Sequence, residues 1–112
     1  MTRRYAKSTT SKYKNRKTAV NGLVFDSKRE AKRYTELLLL MRGGLITGLK
    51  TQVKFELLPK QGAERAAHYI ADFVYEQDGQ IVVEDVKGVK TREYVLKRKM
   101  MLYFYGIKIK EI

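Results

Sequence analysis

Four side chains combine the types and spacings that metal-assisted or acid–base chemistry needs: Asp72, Asp85, Lys87 and Glu30. Asp72 falls in residues 69–76 and Asp85 in residues 80–87, two runs rich in β-formers that meet at Gln77-Asp78-Gly79-Gln80. Asp-Gly is the strong two-residue hairpin signal, because such a turn needs positive φ at both central positions. That turn pairs Gln77 with Gln80, Glu76 with Ile81, Val74 with Val83, Asp72 with Asp85 and Ile70 with Lys87. Side chains two apart share a face. One face of the ribbon then shows Ile70, Asp72, Val74, Ile81, Val83, Asp85 and Lys87, and the other shows Tyr69, Ala71, Phe73, Tyr75, Val82, Glu84 and Val86. Both are mainly apolar, so each calls for a cover, expected to be one helix per face.

Directly opposed carboxylates sit with Cβ atoms roughly 4.5–5.5 Å apart and repel. Three responses are open: one acid takes a proton, a basic side chain bridges the pair, or a cation binds between them. Lys87, two residues beyond Asp85, is placed to bridge. Clustered carboxylate oxygens also suit Mg²⁺, a hard cation that takes oxygen ligands. The rival reading is a salt-bridged patch at an exposed sheet end, against which the flanking Ile70, Val74, Val83 and Val86 argue. Glu30 shares a helical stripe with Tyr34, Leu37 and Met41 and leans toward the buried side. It is equally the third-position partner of Ser27 in a capping box, and both readings stand. Gln52, a polar residue of a strand whose alternate positions are apolar, either touches the same pocket or faces water, and water is the favoured reading. Glu84, on the face opposite Asp85, falls outside the candidate set, and His68 reads as an ordinary surface or edge histidine.

These residues need elements to hold them. Residues 20–25 read as a short extended segment turning at Asn21-Gly22. Ser27-Lys28-Arg29-Glu30 opens a helix whose apolar positions run from Ala31 to Met41, and Gly43-Gly44 ends it. Residues 50–58 alternate as a strand, and Pro59 and Gly62 break residues 59–68 into a loop. A second helix is expected over residues 91–105, with Leu96, Met100, Tyr103 and Phe104 inward and Gly106 as its stop. Residues 107–112 alternate as a last strand. The order is αβββαβ, an α/β class, with the last strand parallel to the hairpin's second strand after a right-handed crossover.

The 112 residues suit one compact domain, and 44% hydrophobic composition supplies a core. There is no cysteine and one histidine, His68, which excludes a disulfide scaffold, a zinc finger, a thiol nucleophile and two-imidazole chemistry. The apolar run at residues 37–41 is too short to span a bilayer, and no apolar segment follows the basic start, so a cytoplasmic protein is expected. Lys and Arg number 24 against 12 Asp and Glu, a net charge of +12. Residues 1–17 carry Arg3, Arg4, Lys7, Lys12, Lys14, Arg16 and Lys17 without an acid. They read as a flexible basic arm preceding a folded domain over residues 18–112. A second basic set comprises Lys87, Lys90, Arg92, Lys97, Arg98 and Lys99. Such a surface points to a polyanion, nucleic acid ahead of lipid.

Ile70-Ala71-Asp72-Phe73 followed by Val82-Val83-Glu84-Asp85-Val86-Lys87-Gly88 resembles the paired motif of the PD-(D/E)XK nuclease superfamily. Phe25-Asp26-Ser27-Lys28-Arg29-Glu30-Ala31 is similar to the first-helix glutamate segment of many members. Residues 12–112 look like a family of small phage and prophage proteins in that superfamily, described as a domain of unknown function and suspected of nuclease activity. The resemblance implies a restriction-endonuclease-like core with a central four-stranded mixed sheet flanked by helices. It makes Asp72 the first motif acid, Asp85 the second, Lys87 the motif lysine and Glu30 the helix acid. Asp72, Asp85, Glu30 and the carbonyl of Val86 would then hold Mg²⁺ or Mn²⁺. Ala71 replaces the motif's proline, and Asp85 is shorter than the more usual glutamate.

The implied activity is a divalent-metal-dependent DNA endonuclease hydrolysing phosphodiester bonds. Selectivity for branched DNA, in the manner of a Holliday-junction resolvase acting as a homodimer, is a narrower version. Arg3, Arg4, Lys12, Lys14, Arg16, Lys17, Lys90, Arg92, Lys97 and Arg98 would hold the backbone. The alternative is a non-catalytic phage nucleic-acid-binding protein, which would gain nothing from carboxylates that repel phosphate.

Overall fold

The computed structural model describes residues 17–112. The expected arm, with Arg3, Arg4, Lys12, Lys14 and Arg16, lies outside the described residues; Lys17 is exposed. The chain divides into two compact units, one ending at Glu36 and one comprising Leu37–Ile112.

In the first unit, β1 (Thr18–Val20) and β2 (Leu23–Phe25) form an antiparallel hairpin. Asn21 (φ 51°) and Gly22 (φ 81°) supply the left-handed turn that the Asn-Gly pair announces. α1 (Lys28–Arg42) begins here: the Ser27 hydroxyl accepts from the Glu30 N–H at 3.1 Å, satisfying one orphan donor of the first turn. Phe25 and Tyr34 meet at 5.0 Å between ring centroids.

The second unit is built on a four-stranded mixed sheet of β3 (Thr47–Leu58), β4 (Ala67–Gln77), β5 (Gln80–Asp85) and β6 (Lys110–Glu111), in that spatial order. β3·β4 and β4·β5 are antiparallel, while β5·β6 is parallel, as expected for strands joined through a helix. That helix, α2 (Arg92–Tyr105), is capped by the Thr91 side chain and stopped by Gly106 at φ 67°. The architecture is α/β. All four strands differ in extent from the reading above: β3 begins earlier, at Thr47, β4 runs on at both ends from Ala67 to Gln77, β5 stops at Asp85, and β6 keeps only two residues of the expected segment 107–112.

The core under α2 gathers Leu57, Tyr69, Ala71, Val83, Tyr94, Met101 and Ile109. This corrects the expected inner face of the helix. Tyr94 and Met101 are the buried positions, whereas Leu96 and Phe104 are exposed and Tyr103 is 83% exposed. Met100 is half-buried. The physical reason is composition. α2 has apolar residues on nearly every side, so its periodicity could not name the buried stripe; the hydroxyl of Tyr94, bound to Glu111 at 2.6 Å, fixes the rotation. Among the described residues no helix is long and apolar enough to cross a membrane.

Candidate acid-pair site

The hairpin register is the one that the Asp78-Gly79 turn dictates, from Gln77↔Gln80 through Glu76↔Ile81 and Val74↔Val83 to Phe73↔Glu84. Asp78 (φ 53°) and Gly79 (φ 78°) both take the left-handed conformation. Ladder pairing ends one step before Asp72 and Asp85, and the chain there is held by a side chain instead. The Val86 N–H donates to Asp72 Oδ2 at 2.8 Å. The two carboxyl groups come within hydrogen-bonding reach of each other.

The strict two-face alternation fails at this place. Tyr69 and Ala71 belong to the core that contains Val83, although alternation assigns them to the face of Phe73, Tyr75 and Glu84. The pleat of β4 therefore reverses between Ala71 and Phe73, around Asp72. Opposite this point, Gln52 interrupts the β3·β4 ladder: Thr51 pairs with Phe73 and Val53 with Ala71, and Gln52 between them takes φ 53°. A non-glycine residue held in the left-handed region costs energy, and such residues concentrate at functional sites. Gln52 is exposed, as expected, yet its amide also approaches Asp72 Oδ1 at 3.5 Å.

Reversal brings a residue to the site that the sequence gave no reason to place there. The Tyr69 hydroxyl donates to Asp85 Oδ2 at 2.5 Å. Burial first, and then the Asp85 carboxylate, pushes the Tyr69 hydroxyl well above its ordinary range, so it is a donor throughout the physiological range. The other oxygen of Asp85 faces Lys87 Nζ at 3.4 Å. Burial, opposed by the Val86 N–H and reinforced by Asp85, raises the Asp72 carboxyl to about 6. The crowding of the two acids is thus met within the chain by the raised proton affinity of Asp72 and by the ion pair of Asp85 with Lys87.

Lys87 also lies over the Tyr94 ring, 4.5 Å from its centroid, in cation–π geometry. Tyr94 is in turn held by Glu111, which receives Arg98 at 2.9 Å and Lys90 at 3.1 Å. The Tyr94 hydroxyl, followed by Arg98, holds the Glu111 carboxyl down to about 2. A cavity of about 240 Å³ opens beside Lys87, lined also by His68, Tyr69, Thr91, Tyr94 and Lys97. His68 is therefore a cavity-lining residue, half-buried rather than an ordinary surface group.

The remaining candidates are distributed as follows. Val86 contributes its N–H to the site. Glu30 belongs to the first unit, where its N–H takes the capping role that Ser27 sets up, and its side chain is buried. Glu84, set aside above, is fully buried and accepts from the Tyr75 hydroxyl. Among the proposed backbone-binding cations, Lys90 and Arg98 are engaged by Glu111, Lys97 by Glu93 at 3.1 Å, and Arg92 is exposed at the helix start. Among the described residues, no three or more His, Cys, Asp or Glu side chains form a metal-binding group.

A family model described as "Protein of unknown function (DUF1064)" matches residues 10–111. No curated protein and no solved structure matches the chain.

Proposed function

The chain belongs to the DUF1064 family, and from that premise we propose that it is a divalent-metal-dependent DNA endonuclease of the PD-(D/E)XK kind, built on a restriction-endonuclease-like core. One observation carries the reading: two acids and a lysine from adjacent strand ends converge, with the Asp85 carboxylate close enough to raise the proton affinity of Asp72. A protein that only bound nucleic acid would have no use for anions concentrated at this spot, whose repulsion for phosphate it would have to overcome.

The donor set suits Mg²⁺ or Mn²⁺. Mg²⁺ is commonly bound through one or two carboxylates, with water and substrate phosphate completing its shell, so a pair suffices. Asp72 and Asp85 would hold it, with the Val86 carbonyl a further candidate. Bound there, the ion supplies Lewis acidity toward water and the phosphodiester. Asp72 would serve as a ligand in its ionised form, which prevails above about pH 6. Lys87 would neutralise a non-bridging phosphate oxygen as charge builds on it. Tyr69 would fix the rotamer of Asp85, and the Tyr94 ring would keep the ammonium of Lys87 from wandering into solvent. Basic side chains would position the backbone without reading bases. Branched DNA cut by a homodimer is a narrower form of the same proposal, decided by comparing four-way, flap and linear substrates.

The test joins two measurements. Mg²⁺ should raise the melting temperature of the native protein, and Asp85→Asn should abolish that gain. Lys87→Ala should lower DNA cleavage at least a hundredfold while leaving DNA affinity within about threefold. Cleavage by Lys87→Ala at the parent rate would overturn the assignment.

A further inference from the structure

α2 carries its aromatic residues in an unusual place. The last turn of a helix is where the macrodipole favours a cation, and α2 has none there. Tyr103, Phe104 and Tyr105 occupy it instead. Tyr105 is accounted for by the fold, since its hydroxyl donates to the Glu56 carbonyl at 2.7 Å and its ring meets Phe55 edge-on. The other two are not. Tyr103 is 83% and Phe104 50% exposed, and their rings touch each other at 5.1 Å, nearly perpendicular.

The chain on either side of this pair is strongly cationic. From Tyr94 to Lys110 the chain carries Lys97, Arg98, Lys99, Lys108 and Lys110 and not one acid. Lys99 precedes Tyr103 by one helical turn, so an exposed ammonium and an exposed ring are neighbours on one stripe. We propose that Tyr103 and Phe104 form a stacking platform for the bases of unpaired nucleic acid, with Lys99 and Lys108 taking the adjoining phosphates. Every base offers a π-face, so rings set in a basic field bind single strands with little regard to sequence. In a duplex those faces are already stacked, and the platform has nothing to engage. A second copy of the chain is the poorer occupant, because a two-fold contact would place each cationic patch against its own duplicate.

The inference rests on the proposed nucleic-acid substrate and refines it to one containing unpaired nucleotides. It is tested by binding alone, in buffer without divalent metal, using the full chain. Tyr103 is largely and Phe104 half exposed, so their removal should leave the fold intact, with the melting temperature only modestly lowered. Tyr103→Ala/Phe104→Ala should weaken binding to a twenty-nucleotide oligothymidylate about tenfold or more, and binding to a blunt duplex of the same length less than twofold. The protein has no tryptophan, so Tyr103→Trp introduces a single reporter. Its emission should be quenched by the oligothymidylate and not by the duplex.

Equal losses on both DNAs, or no loss on either, would overturn the platform. A reporter that responds to vesicles of anionic phospholipid, or to self-association in sedimentation, while ignoring single strands would overturn it too. Failure of the nuclease reading is separate: there, cleavage or Mg²⁺ stabilisation would be insensitive to Asp85 and Lys87 whatever the platform binds.

Discussion

At the residue scale, Asp72 and Glu111 are displaced from the ordinary carboxyl range in opposite directions, and pH should separate them. Asp72 holds its proton in the folded chain to about pH 6, against an ordinary value of 3.8. Its protonated form therefore contributes stability that is complete below about pH 3.8 and lost as pH rises through about 6. Glu111 runs oppositely: held down to about 2 from 4.5, it contributes stability above pH 4.5 that is lost as pH falls through about 2. Urea midpoints measured from pH 2 to 8 should show both limbs. Asp72→Asn should flatten the limb between pH 4 and 6, and Glu111→Gln the acid limb. Tyr69→Phe removes a donor from a buried carboxylate, and a loss of about 1–3 kcal/mol is expected in the same assay.

Elements differ in how plainly the sequence announces them. The hairpin register was legible because Asp78-Gly79 admits one turn geometry, and the ends of α2 because Thr91 and Gly106 are strong stop and start residues. With register came the Asp72–Asp85–Lys87 grouping. The buried face of α2 was not legible, since charged and apolar residues are spread around it without a clear apolar stripe. Nor was the pleat reversal at Asp72: neither glycine nor proline marks it, and Gln52 adopts its left-handed conformation through tertiary constraint. Tyr69 consequently escaped notice as a partner of Asp85. Two substitutions test these elements. Gln52→Gly relieves the left-handed penalty and should stabilise the fold by about 1 kcal/mol, less whatever the contact with Asp72 contributes. Thr91→Ala should cost about 1 kcal/mol by freeing the Tyr94 N–H at the start of the turn that carries the seat of Lys87.

For the whole molecule, the net charge of +12 makes affinity for any nucleic acid a function of ionic strength. Deleting residues 1–16 removes Arg3, Arg4, Lys7, Lys12, Lys14 and Arg16. The slope of log affinity against log salt on duplex DNA should become shallower by up to about 5 if all of them meet phosphate, and an unchanged slope would exclude the arm from the interface. One feature of β5 reaches beyond binding. Its sequence Val82-Val83-Glu84-Asp85-Val86 is nearly self-similar, with one acid under Tyr75 and its neighbour under Tyr69 on the reverse side. A strand displaced by a single position would bring one tyrosine to an acid and the other to Val83 or Val86, leaving that second hydroxyl unpaired. The two acid–tyrosine bonds thus act together with the tight bend at Asp78-Gly79 to reject a slipped ribbon.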